Sequence, residues 1–68
     1  MSDNYPMPNV ISKLIDPNNN CTYIFYAYRP LTKAEQILEV KTWLASNRRK
    51  KPPKNKIIEL HTMHGFDD

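Results

Sequence analysis

Six of the ten basic residues stand within nine positions, in Arg48-Arg49-Lys50-Lys51-Pro52-Pro53-Lys54-Asn55-Lys56, with no acid among them. Arginine forks onto a phosphate through two parallel N–H groups, and lysine supplies a compact point charge. Neutralising about six phosphates gives a steep salt dependence, a log–log slope of about −5 on duplex. Arg48, Arg49, Lys50, Lys51, Lys54 and Lys56 are therefore the candidate contacts to nucleic acid, to another polyanion, or to an acidic protein surface. The same cations also complement a helix C-terminus and keep a small chain in solution.

The second chemical feature is aromatic. Thr22-Tyr23-Ile24-Phe25-Tyr26-Ala27-Tyr28 carries four rings in seven residues and no charge. Single-strand binders stack bases on exposed sheet aromatics beside a basic loop. Tyr26 and Tyr28, or Tyr23 and Phe25, are the pairs available for stacking or for an interface. Trp43, with Tyr28 and Phe66, offers a docking edge of the kind that dominates protein interfaces; its bland alternative is a rim residue sealing a helix onto a sheet.

Catalysis and metal binding find little support. Gly65 is the one glycine, so no glycine-rich phosphate cradle exists. The serines lack a neighbouring histidine or acid. Cys21 with His61 or His64 is a remote nucleophile pair, and a small strand-start cysteine is the plainer reading. His61 and His64 lie three apart, which on a strand sends their imidazoles to opposite faces. Two histidines and a distant cysteine fall short of four zinc ligands. No enzymatic activity, metal, cofactor or small-molecule substrate is expected.

The elements that position these residues follow from local signals. Residues 1–9, with Pro6 and Pro8, read as an extended arm from which Tyr5 and Met7 can still dock. Val10–Ile15 is a β-branched strand, with Lys13 suited to an edge or to the solvent face. Asp16-Pro17-Asn18-Asn19-Asn20 is a strong turn, so Thr22–Tyr28 returns as the second strand of a hairpin. This aromatic strand is placed centrally, one face against a helix and the other open or covered by a partner.

Thr32 and Glu35 form a capping box that starts the helix, which runs to about Ser46. At 100° per residue, Ala34, Ile37, Leu38, Val40, Leu44 and Ala45 share one side, with Glu35, Glu39, Thr42 and Ser46 opposite. Lys41 falls inside the apolar arc and Trp43 at its edge. Pro52 ends any helix before it. Lys56–Thr62 alternates as a half-buried strand, Ile58 and Leu60 facing one way and Ile57, Glu59 and His61 the other.

The order β-β-α-β predicts a small two-layer α+β domain over residues 10–64, a three-stranded mixed sheet with one helix on one face, then a tail at 65–68. Sixty-eight residues bury only a small core. One cysteine provides no internal disulfide and fits a reducing compartment. The N-terminus lacks the basic and apolar regions of a signal peptide, and no apolar run approaches a membrane span, so the cytoplasm and no membrane contact are expected. Net charge is +3, and outside residues 48–56 the chain has four basic and seven acidic residues, so the positive field is local. The function expected is that of a small regulatory binding protein touching nucleic acid through the loop 48–56. The alternative is a homodimeric interaction or inhibitor module using the aromatic strand face or the Trp43 edge.

Overall fold

The computed structural model describes residues 7–66; most of the expected arm, including Tyr5, and the last two tail residues lie outside them. Three strands and one helix follow in the order β1 (Val10–Asp16), β2 (Cys21–Ala27), α1 (Lys33–Ser46) and β3 (Ile57–His61). The sheet order is β1-β2-β3, antiparallel between β1 and β2 and parallel between β2 and β3. The mixed α+β sheet and the central position of the aromatic strand are as the sequence predicts.

The hairpin turn is built from its side chains. Asp16 accepts from the Asn18 backbone N–H at 3.1 Å and from the Asn19 amide at 2.8 Å. Asn20 then takes a positive φ of 51°, a conformation asparagine tolerates better than most residues. This turn sets the register that pairs Asp16 with Cys21 and Ile11 with Tyr26.

Alternation along β2 sorts its residues by face. Cys21, Tyr23, Phe25 and Ala27 are buried, while Thr22, Ile24 and Tyr26 are not. With Leu31 these four make the apolar core, and Leu14, Val40, Trp43, Ile58 and Leu60 pack against it. The helix thus meets the sheet through Val40 and Trp43. The Trp43 ring stands edge-on to Tyr23 at 6.4 Å between centroids.

The helix begins at the expected cap. Thr32 Oγ1 accepts from the Glu35 N–H at 3.2 Å, and Glu35 Oε1 accepts from the Thr32 N–H at 2.9 Å. Its rotation differs from the sequence reading. Leu38 is 61% and Ile37 40% exposed, and Ala34, Lys41 and Ala45 are also exposed. The covered stripe is Gln36, Val40, Trp43 and Leu44, flanked by half-buried Glu35 and Glu39. Trp43 has the largest apolar area to hide, and two alanines contribute little against it. Arg29 and His64 also hold Glu35 and Glu39 on that side.

One core hydroxyl stands apart. The Tyr23 hydroxyl is buried and makes no hydrogen bond among the described residues. Burial, reinforced by the neighbouring Cys21 thiol, pushes its phenol up to about 12. An orphaned buried hydroxyl costs free energy that the apolar ring does not. Tyr23→Phe is therefore expected to leave stability unchanged or raise it by about 1 kcal/mol. Tyr23→Ala should lose about 3–5 kcal/mol. Urea unfolding followed by far-UV circular dichroism measures both.

Candidate functional site

The basic loop leaves the helix through a left-handed residue. Arg48 has φ 55°. Its N–H donates to Ala45 O at 3.0 Å, and the Arg49 N–H donates to Leu44 O at 2.8 Å. That pair of bonds is a Schellman ending, in which glycine usually occupies the left-handed position. The Asn47 side chain adds a 2.8 Å bond to Trp43 O. The loop therefore departs from a closed helix end in a fixed direction.

Its other end is tied to the hairpin turn. Pro53 is buried. Asn55, at φ 57°, donates from its backbone to Asn19 O at 2.9 Å and accepts from the Asn20 side chain at 2.9 Å. The Thr22 N–H then donates to Lys56 O at 3.0 Å, which starts the parallel ladder. The cations consequently sit on a tethered segment at the end of the sheet where β2 and β3 begin.

All six cations are exposed. The Arg49 guanidinium carbon lies 5.9 Å from the centroid of the Trp43 ring, within range of a cation–π contact. No carboxylate pairs with Arg48, Lys50, Lys51, Lys54 or Lys56 among the described residues. Five cations thus stand exposed on one loop, and the sixth lies on an indole.

The aromatic candidates divide by the pleat. Tyr23 and Phe25 are core residues with no face open to a base or a partner, which removes them as a stacking pair. Trp43 is half-buried, its ring edge-on to Tyr23 and 5.9 Å from the Arg49 guanidinium carbon. Tyr28 pairs with Phe66 at 5.0 Å and 60°, beyond the far end of β2 from the loop. Tyr26 alone of the four lies on the open sheet face. His61 stacks on it at 4.7 Å and 12°, and its hydroxyl donates to Glu59 at 3.0 Å. That bond to Glu59 raises the Tyr26 pKa above its ordinary value. Four residues of strand, about 13 Å, separate Tyr26 from Thr22 and hence from the loop.

The opposite end of the molecule holds a polar cluster that spacing did not reveal. Arg29 forks onto Glu35, with Nη1 to Oε1 at 2.8 Å and Nη2 to Oε2 at 2.6 Å. His64 Nε2 lies 2.8 Å from Glu39 Oε2, and its Nδ1 3.8 Å from Glu35 Oε2. The turn after β3 sets His64 there: Tyr28 N–H donates to His64 O at 2.9 Å, and Gly65 has φ 87° against the Arg29 stem. The visible signal was Glu35 in its capping box; nothing marked Arg29 or His64 as its neighbours. A shallow open hollow of about 480 Å³ lies between Glu39, His61, Thr62, Met63 and His64. Among the described residues no group of three or more His, Cys, Asp or Glu side chains is placed to hold a metal ion. Nor is any helix among them long and apolar enough to cross a membrane.

Two outcomes follow from these local geometries. The Arg29 fork, helped by the Thr32 N–H, holds the Glu35 carboxyl down at about 2 against an ordinary 4.5. A depressed folded-state pKa gives stability that is complete above the unfolded value and fades as pH falls through the folded one. The stability advantage of the native chain over Glu35→Gln should therefore be full above about pH 4.5 and shrink toward pH 2, in denaturant melts across that window. At the other end, Arg48→Gly relieves a left-handed arginine and should raise stability by about 0.5–1 kcal/mol in the same assay.

Compared with protein-family models, with curated proteins and with solved structures, the chain matches none.

Proposed function

We propose that this chain is a small non-enzymatic binding protein that meets nucleic acid through the backbone phosphates, using the loop 48–56. The observation that carries the reading is the set of five exposed cations, Arg48, Lys50, Lys51, Lys54 and Lys56, unpaired among the described residues and held on a loop tied down at both ends. A pre-ordered array loses less conformational entropy on binding than a free tail of the same charge. Unpaired cations also leave no internal salt bridge to be broken when a phosphate arrives.

The sheet aromatics stand apart from this contact. Tyr26 and His61 occupy the far end of the open face, so a nucleotide whose phosphate touches Lys54 or Lys56 does not also reach that ring. The reading is thus one of phosphate recognition without base stacking, with weak sequence preference. Arg49 stays on Trp43, and the number of phosphates engaged is about five.

Fluorescence anisotropy with a labelled duplex, titrated across salt concentrations, tests it. The expected log–log slope is about −4 to −5. Lys50→Glu/Lys51→Glu should reduce its magnitude by about two and weaken binding at least tenfold at low salt. Affinity retained within about twofold by that variant, or no binding to duplex or single strand at low salt, overturns the reading.

A further inference from the structure

The sheet face turned away from the helix mixes apolar and charged residues. Its nine positions read, row by row across β1, β2 and β3, Ile15-Thr22-Ile57, Lys13-Ile24-Glu59 and Ile11-Tyr26-His61. Four of the nine are isoleucine. Ile11, Ile15 and Ile57 are 57%, 64% and 69% exposed. A solvated sheet face normally alternates to polar residues, whereas here three exposed isoleucines lie diagonally about Ile24 among Thr22, Lys13, Glu59, Tyr26 and His61, and exposed apolar residues gathered on one face mark a contact surface.

The charge pattern selects the occupant. Lys13 lies on one edge strand and Glu59 on the other, in the same row, on either side of Ile24. Consider a second copy laid face to face, with a two-fold axis between the sheets running along β2. That operation exchanges β1 with β3 and keeps every row at its level. Lys13 then faces the partner's Glu59, and Glu59 faces the partner's Lys13. Ile15 faces the partner's Ile57, Ile57 the partner's Ile15, and Ile24 meets its own copy near the axis. The other in-plane axis, across the strands, sets lysine against lysine and glutamate against glutamate, which is repulsive twice over. Glu59 is also steadied for the contact by the Tyr26 hydroxyl.

We propose that this chain self-associates through the open sheet face as a two-fold dimer with strand-aligned axis, the Lys13–Glu59 pairs setting its orientation. Sheets packed face to face lie about 10 Å apart with strands turned by about 30°, and long side chains such as Lys13 and Glu59 span that gap. The face is small beside the roughly 800 Å² per partner of a standard interface, so the dimer dissociates at about 100 µM. The axis also brings both basic loops to the same end of the pair, a bivalent surface for a polyanion. That last consequence rests on the phosphate-binding reading; the association does not.

Sedimentation equilibrium of the full chain without nucleic acid, from about 10 µM to about 1 mM, tests it. The average mass should climb from 8.0 kDa toward twice that value. Ile15→Thr/Ile57→Thr keeps β-branched, uncharged residues at exposed positions and should weaken the dimer at least tenfold with an unchanged circular dichroism spectrum. Lys13→Glu and Glu59→Lys should each weaken it about tenfold, and the double reversal should restore it to within about threefold. A monomer at every concentration overturns the proposal. So does a dimer indifferent to these substitutions, the result expected of edge pairing or of the exposed Ile37–Leu38 strip. So does a double reversal that fails to recover. Because no polyanion is present, loss of loop binding and loss of association are read separately.

Discussion

Everything in this molecule depends on the register of β2. Among the described residues it is the one strand paired on both sides, and its inward residues, Cys21, Tyr23, Phe25 and Ala27, are four of the five apolar residues that make the core cluster. A slip of one residue would exchange that face for Thr22, Ile24 and Tyr26. It would lose the phenylalanine and the tyrosine from the core together. Two devices pin the register. The Asp16–Asn20 turn fixes it against β1, and the Thr22-to-Lys56 bond fixes it against β3. Both devices act at the same end of the sheet, and the basic loop is anchored there as well.

That shared end carries most of the left-handed backbone. Asn20, Arg48 and Asn55 are the non-glycine residues with positive φ among those described. Two are asparagines, which tolerate the conformation, and they hydrogen-bond to each other. Arg48 is the costly one. Glycine there would close the helix more cheaply but would remove a cation from the array. The chain keeps charge at a position where stability favours glycine, a local inconsistency of the kind that accompanies binding surfaces.

The fold was legible because its signals are local. The Asp-Pro-Asn-Asn-Asn turn, the Thr32/Glu35 box and the Pro52-Pro53 stop each act within a few residues, and each element lies where they set it. The helix rotation was not legible. The apolar spacing of α1 favours Ile37 and Leu38 over Trp43 and sets Glu35 and Glu39 toward solvent, whereas the covered stripe is Gln36, Val40, Trp43 and Leu44. Their partners, Arg29 and His64, come from segments on either side of the helix in sequence, and no spacing rule brings those together. For the candidate site the basic run was plain from composition. Its tethering through Asn55 and Asn19 was not, because a 36-residue separation leaves no local trace. The choice between Tyr23 with Phe25 and Tyr26 with Tyr28 needed knowledge of which face the helix covers.

Cations with no carboxylate partner among the described residues stand at the end where β2 begins, while at the other end Arg29 forks onto Glu35 and His64 Nε2 lies 2.8 Å from Glu39 Oε2. In the proposed dimer the two cation clusters share an end and repel. Screening limits that repulsion to about a Debye length, about 8 Å at physiological salt. A polyanion long enough to bridge both loops removes it altogether. Binding and association are then linked in both directions: whatever the polyanion adds to the stability of the dimer, the dimer adds to the affinity for the polyanion. Coupling of this kind requires that the contact surface and the binding surface be separate. The geometry meets that condition, with Ile15, Lys13, Ile24, Ile57 and Glu59 on the flat face of the sheet and the cations beyond its edge.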